Sequence, residues 1–243
     1  MCEQPGKTTR NWQGWLELPD AEPVAGRGPW VDLSHPLGER MPRVPVVPEP
    51  SFTKFRRMPD DPFNVSEMHM VVHLGTHVDA PYHFIDDGPA MEGVPLERLS
   101  GAGVVWRIEA EPLQAIGPEV LERMEPRAQP GDIVMLDTGW SDQVGTERYE
   151  RHPHLTAQAA EWLLEQRIKL LAVDFGTPEA APEERWDGWH WPVHHTLLPY
   201  GVLIAEHLCR PRPLAGQRVE AMFLPLNLEG GDGAPARVVA RTL

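Results

Sequence analysis

The amino-acid sequence predicts one α/β domain built around a mostly central sheet or half-barrel. The chain has 243 residues, a length that suits one large α/β domain or two small ones. Segments with strand character outnumber those with helix character, for which we count three or four. The 27 prolines and 21 glycines favour turns and extended loops, which argues against a helical bundle.

Composition and charge narrow the classes of partner. Apolar residues make up 41% and charged residues 24% of the chain, as in an ordinary globular domain. The net charge of −14 argues against nucleic acid or an anionic membrane as partner, so we expect a small-molecule substrate. We expect no membrane span and no signal peptide. The two cysteines, Cys2 and Cys209, have no paired spacing, so we expect free thiols in a reducing cytoplasm.

The first 29 residues are predicted to form an N-terminal arm, followed by the domain at residues 30–243. The arm is polar and irregular, and its tryptophans favour partial packing on the domain surface or on a partner subunit, although a loose tail is an equal alternative. Residues 30–37 are expected to form a short strand entering a turn. The proline-rich residues 38–62 are expected to be extended loop.

The remaining elements follow from apolar runs and capping residues. Pro118 at a first helical turn predicts a short helix over 118–124, and Thr156 is a typical N-cap for a helix over 157–167. Buried strands are expected at residues 104–109, 133–136, 169–175, 201–208, 219–228 and 236–243.

Residues 71–84, VVHLGTHVDAPYHF, concentrate proton-binding side chains in a short segment. Gly75, Pro81 and several β-branched residues oppose a helix and favour an extended chain. Because side chains alternate along an extended chain, His73, His77 and Asp79 are expected to share one face.

Two histidines and one carboxylate on one face are typical of an open metal site. Imidazole and carboxylate together suit Zn, Mn or Fe(II), so His73, His77 and Asp79 are candidate metal ligands. His83 follows after Pro81, and it is either a fourth ligand or a general acid/base beside the ion.

A second group of candidates lies in residues 190–208. Glu206 stands near the end of an apolar run, where an unpaired carboxylate is costly to bury. His194 and Glu206 are therefore candidates for ligands of a second ion or for groups that fix the first ligands. A surface glutamate on an edge strand is the alternative.

The segment 73–84 resembles the H-x-G-T-H-x-D-x-P-x-H-F signature of the metal-dependent cyclase family, which includes bacterial kynurenine formamidase and isatin hydrolase. The match to this signature is complete. The resemblance covers roughly residues 30 to 228 in order, and other similar segments are 31–37, 131–140, 171–179 and 194–208.

The resemblance implies roles for these positions. His73, His77 and Asp79 would bind a first ion, and Asp79 would bridge to a second ion bound by His194 and Glu206. His83 would be the catalytic acid/base. It further implies a swivelling β/β/α fold, one or two Zn or Mn ions, and a homo-oligomer, either a dimer or a tetramer.

The residues and the resemblance together predict a metal-dependent amidohydrolase. We expect it to cleave the C–N bond of an aryl formamide or a cyclic amide, such as isatin, a lactam or an imide, by metal-activated water with a histidine acid/base. The absence of a G-x-S-x-G motif argues against serine-type acyl transfer. A lactone or ester hydrolase with the same site and a non-catalytic protein with a structural metal are the alternatives.

Aromatic and apolar side chains near the two motifs are candidates for substrate binding. Tryptophans just before His194 could cover a flat substrate, although they could equally pin a loop or form a subunit contact. The candidates are Phe63, Met68, Phe84, Trp186, Trp189 and Trp191.

Overall fold

The computed structural model describes residues 11–20, 24–44 and 46–243. These residues form twelve strands and three α-helices. The strands are β1 Val31–Asp32, β2 Ser51–Arg56, β3 Val65–His69, β4 His77–Asp79, β5 Ser100–Arg107, β6 Ala115–Ile116, β7 Ile133–Asp137, β8 His154–Leu155, β9 Leu170–Val173, β10 Leu203–Glu206, β11 Gln217–Pro225 and β12 Gly233–Thr242. The helices are α1 Pro118–Leu121, α2 Ala157–Glu165 and α3 Pro192–Leu197.

Seven of the strands close into a barrel in the order β12-β11-β5-β7-β9-β10-β4, and β4 pairs back onto β12. Strands β5, β7, β9 and β10 are parallel neighbours, while the other pairings in the barrel are antiparallel. The first residues of β12 pair with β4, and its later residues pair with β1. The prediction of an α/β domain around a central mixed sheet or half-barrel is confirmed, and pairing of β4 with β12 closes the barrel.

Two apolar cores lie on the two sides of the barrel wall. Met135, Ala172 and Ala205 belong to the core inside the barrel, whereas Leu136 and Ile204 pack in the outer core with α2 and α3. Because both sides of the parallel strands are covered, these strands read as continuous apolar runs in the sequence. The strands predicted from those runs are present, with ends displaced by up to four residues.

The N-terminus of α2 is as predicted. The Thr156 hydroxyl accepts a hydrogen bond from the backbone N–H of Ala159, with 3.1 Å between Oγ1 and N. The helix ends at Glu165, two residues before the predicted end, because Arg167 takes a left-handed backbone with φ 58°. Helix α1 also ends early, at Leu121.

Residues 38–62 differ from the prediction of a continuous extended loop. Strand β2 pairs antiparallel with β3 in a separate two-stranded hairpin, and nearly all of its side chains are exposed. The prolines before residue 51 favour a loop, and they obscured the aromatic and β-branched residues of β2 that follow.

The segment 71–84 is extended over a shorter stretch than predicted. Only His77–Asp79 form a strand, whereas residues 72–76 form a turn in which Gly75 has φ 65°. Pro81 begins a short 3-10 helix that carries His83. Helix α3 was not expected, because it has only six residues.

The described part of the predicted N-terminal arm packs on the barrel. Trp12 and Leu16 contact the outer core, and the backbone of residues 13 and 16 donates hydrogen bonds to the carbonyls of Pro199 and Tyr200. Residues 1–10 and 21–23 of the arm lie outside the described residues, so the boundary at residue 30 stays a prediction. Among the described residues, no helix is both long enough and apolar enough to cross a membrane.

Candidate metal centre and active site

The candidate site lies where strands β4 and β10 run antiparallel. The register places His77 opposite Glu206 and Asp79 opposite Ile204. Since side chains alternate along a strand, His77 and Asp79 lie on one side of the barrel wall, and Val78 between them belongs to the inner core. Ile204 belongs to the outer core, so this pair and Glu206 face outward, toward α3.

Helix α3 brings a fourth side chain, and together they form what we call the four-residue cluster: His77, Asp79, His194 and Glu206. The Nε2 atom of His77 lies 3.3 Å from Asp79 Oδ1 and 3.5 Å from Glu206 Oε2. The Nε2 atom of His194 lies 3.6 Å from Asp79 Oδ2 and 3.5 Å from Glu206 Oε1. All four residues are buried, so their polar atoms need partners within the site.

The donor atoms of the cluster fit a divalent metal ion. The His77 Nδ1–H donates to the Gly75 carbonyl at 2.8 Å, and the His194 Nδ1–H donates to Glu179 at 2.8 Å. Each bond leaves the Nε2 atom directed into the cluster, as in histidines that bind metals. The buried His77 Nε2 and Asp79 Oδ2 atoms have no hydrogen-bond partner among the described residues, as expected for metal ligands.

Glu179 is a buried carboxylate that no sequence pattern indicated. Its Oε1 atom accepts hydrogen bonds from both the ring and the backbone N–H of His194, at 2.8 and 2.9 Å. The backbone bond satisfies an N–H of the first turn of α3, which has no partner within the helix. Glu179 lies six positions after the end of β9, beyond Gly176 and Pro178, so it lacks the apolar-run signal that identified Glu206 within β10.

His73 reaches the cluster from the turn before β4, so the prediction that it shares a strand face with His77 and Asp79 is wrong. Gly75 reverses the chain between the two histidines, which brings His73 Nδ1 to 2.8 Å from Asp79 Oδ1. The predicted proximity of the side chains is confirmed, although a turn rather than strand alternation produces it.

Asp232, which no sequence pattern indicated either, lies beside His73 and His83. Its Oδ2 atom is 2.9 Å from His73 Nε2 and 3.6 Å from His83 Nδ1. The two imidazole rings stack with centroids 3.9 Å apart. The His83 side chain is 28% exposed, whereas the side chains of His77 and His194 are 3% exposed or less, so His83 faces the solvent side of the cluster.

The electrostatics of the site follow from burial and from these contacts. Burial alone would lower the pKa of His73, but hydrogen bonds to Asp232 and Asp79 raise it to about 10. Burial would likewise lower the pKa of His194, but the adjacent carboxylates of Asp79, Glu179 and Glu206 raise it well above its ordinary value. The hydrogen bond from His73 and the nearby His83 ring hold the pKa of Asp232 far below its usual range. The carboxylates therefore create a strongly negative potential, which favours a bound cation.

Phe84 and Trp191 lie beside the cluster. The Phe84 ring stacks on His194 with centroids 4.4 Å apart, and Trp191 lies 6.1 Å from Phe84. Trp186 and Trp189 pack against each other edge to face at 4.7 Å. Neither of these two makes a ring contact with the cluster in the described part of the chain.

Phe63 and Met68 lie on the hairpin of β2 and β3, away from these contacts. Their exposed fractions are 55% and 45%. Within residues 11–20, 24–44 and 46–243, neither makes a ring contact or hydrogen bond with the histidines of the site. Their predicted role in substrate binding is untested.

Comparisons with known proteins agree with this geometry. A kynurenine formamidase of Bacillus cereus is 30% identical over 215 residues, which cover 88% of this chain and 98% of the relative. A solved structure described as a potential metal-dependent hydrolase with cyclase activity is 28% identical, with a TM-score of 0.72 over 87% of this chain and 96% of that one. These relatives confirm the predicted class of enzyme, a metal-dependent amidohydrolase.

The fold is also shared with an isatin hydrolase bound to the product analogue thioisatinate. That structure is 22% identical, with a TM-score of 0.80 over 87% of this chain and 91% of that one. Residues 31–180 match the family model named Cyclase, described as "Putative cyclase". The chain therefore belongs to the cyclase family of hydrolases, as the resemblance predicted.

Proposed function

We propose that this protein hydrolyses the amide C–N bond of an aryl formamide or a cyclic amide, with the aid of a divalent metal ion. The observation that carries the proposal is the four-residue cluster of His77, Asp79, His194 and Glu206, in which buried ligand atoms without partners converge beside the half-buried His83. The relative named kynurenine formamidase, which matches nearly from end to end, supports the same chemistry.

The ligands that we propose are the cluster together with His73, whose Nδ1 lies against Asp79. The groups His73–Asp79–His83 and Asp79–His194–Glu206 each offer ligand atoms within 4.8 Å of one another and share Asp79, which supports one ion or two. Imidazole and carboxylate ligands suit Zn or Mn. When bound, such an ion would supply a polarised carbonyl oxygen and a water molecule of lowered pKa.

His83 is the proposed acid/base because of its position. Asp232 faces Nδ1, which orients the ring and leaves Nε2 for the substrate side. His83 would take a proton from the attacking water as the new C–O bond forms. It would then deliver that proton to the amide nitrogen as the C–N bond breaks.

The aromatic side chains next to the cluster support a flat or aromatic substrate. Phe84 stacks on His194, and Trp191 is 37% exposed beside it, so both rings lie where a substrate would approach. We propose these two, rather than the exposed Phe63 and Met68, as the side chains that contact the substrate.

A hydrolysis panel tests the proposal. The protein is loaded with Zn or with Mn and assayed on N-formylkynurenine, isatin, a small lactam, a cyclic imide and a lactone. Turnover of an aryl formamide or cyclic amide that is abolished by a chelator and restored by the metal is the expected result. Turnover of the lactone alone, or of no substrate with either metal, would contradict the proposal. The expected homo-oligomer remains a prediction, which light scattering after size-exclusion chromatography measures.

A further inference from the structure

His207 is a buried histidine next to Glu206 that no predicted role includes. It is fully buried, and its backbone has φ 56°, in the left-handed region. That conformation is unfavourable for a residue that carries a side chain. It also breaks the strand alternation after β10, so residues 206 and 207 do not point to opposite sides of the sheet.

The position of the His207 backbone is determined by hydrogen bonds to two other segments. Its N–H donates to the Phe175 carbonyl at 3.0 Å, and its carbonyl accepts from the Thr76 hydroxyl at 2.6 Å. Thr76 in turn directly precedes His77 in the chain. The backbone that supports His77 and the backbone of His207 are therefore held together, which fixes the two rings relative to each other.

The two ring nitrogens of His207 have different surroundings. Nδ1 lies 2.6 Å from the Tyr149 hydroxyl, and Tyr149 is itself buried. Nε2 is buried and has no hydrogen-bond partner among the described residues. When Nδ1–H donates to the Tyr149 oxygen, the Nε2 lone pair is free to bind a ligand of its own.

The rings of His207 and His77 lie 5.8 Å apart, between centroids. One ring nitrogen of each, together with a Glu206 oxygen, lie within 4.8 Å of one another. The ligands of a tetrahedral ion bound at 2.0–2.2 Å lie about 3.5 Å from one another, so a contraction of at most roughly 1.3 Å would bring the three into its coordination shell. His77 Nε2 and Glu206 Oε2 are already 3.5 Å apart.

We propose that His207 is a further metal ligand, which binds a divalent ion together with His77 and Glu206, and that Tyr149 positions it. This inference rests on the proposed metal centre and extends it, because neither the signature segment nor the Asp79–His194–Glu206 group contains His207. The left-handed backbone is then the feature that turns the imidazole toward Glu206.

The decisive variant is His207→Gly, because glycine adopts the left-handed backbone without strain. The matched control is Arg210→Gly, since Arg210 also has a positive φ, 50°, but its side chain is exposed. Both variants place glycine at a position of positive φ, and only His207→Gly removes an imidazole. Tyr149→Phe removes the hydroxyl that positions the ring.

The measurements are metal stoichiometry and dissociation constant, by competition with a chelator, and the visible absorption of the Co(II)-substituted protein. We expect His207→Gly to weaken the binding of one ion by at least about tenfold and to change the Co(II) absorption. Tyr149→Phe should weaken it in the same direction by a smaller factor, and Arg210→Gly should match the wild type.

If the wild type binds metal and His207→Gly shows the same stoichiometry, affinity and Co(II) absorption, the inference is overturned. If the wild type itself binds no ion, the proposed metal centre fails as well, so the two failures are distinguishable. If His207→Gly does not fold, His207→Asn decides in the same assays, because asparagine also tolerates the left-handed backbone.

Discussion

Replacing Glu179 by glutamine tests whether the second carboxylate beside His194 supports metal binding. Glu179 accepts two N–H bonds from His194, at 2.8 and 2.9 Å, and it is fully buried. Glutamine keeps an amide oxygen as acceptor but loses the charge. Hydrogen bonds to charged groups contribute about 1.5–3 kcal/mol and neutral ones about 0.5–1.5 kcal/mol, so each bond weakens by about 1 kcal/mol.

The two bonds together give a loss of about 2 kcal/mol, which corresponds to about thirtyfold weaker metal binding if the bound state carries the whole loss. This lies within the 10–100-fold effect that is typical of partners behind a metal-binding histidine. A competition titration with a chromogenic chelator measures the dissociation constant directly, and a thermal melt of the metal-free protein reports whether the fold is retained.

Glu183→Gln is the matched control, because Glu183 lies four positions further in the same segment and makes an exposed ion pair with Arg151. It should bind metal as the wild type does. Glu179→Ala should bind metal still less tightly and should also unfold at a lower temperature, since the two N–H groups of His194 lose their acceptor. Wild-type affinity in Glu179→Gln, within about twofold, would refute this reasoning.

Three further predictions concern the acid/base, the response to pH and helix capping. His83→Gln should retain its metal but lose about 10²–10⁴-fold in kcat, and a loss below tenfold would remove the acid/base role. Burial lowers the pKa of His152 from 6.5 to about 4. The free energy of unfolding should therefore fall by about 3 kcal/mol as the pH falls from 6.5 toward 4, because the unfolded chain takes up the proton before the folded protein does. Urea unfolding at several pH values should therefore show a flatter profile for His152→Asn than for the wild type, and an identical slope would contradict this. Thr156→Ala should lower the free energy of unfolding by about 1 kcal/mol, and a loss below about 0.5 kcal/mol would mean that the cap bond contributes little.

Local sequence patterns predicted the strands and helices that are marked by an apolar run or a capping residue within their own segment. The apolar runs at β7, β9 and β10 marked strands covered on both faces, and Thr156 marked the start of α2. The hairpin of β2 and β3 was missed because proline-rich residues precede it, and α3 was missed because six residues do not establish a helical period.

The candidate site was predictable where its members are close in sequence. Strand alternation determines that His77 and Asp79 point the same way, and this holds in any sheet that contains β4. The position of His73 depended on the turn at Gly75, since a positive φ reverses the chain in a manner that side-chain periodicity does not show.

The sequence by itself determined the types of ligand, the histidine beside them and the strands that carry them. Only the tertiary structure decided which distant groups complete the site. Register between β4 and β10 sets Glu206 opposite His77, and closure of the barrel brings Asp232 to His73 across 159 positions of sequence. Such contacts depend on strand pairing and on how helices pack across the barrel, and a local pattern of residues does not encode either.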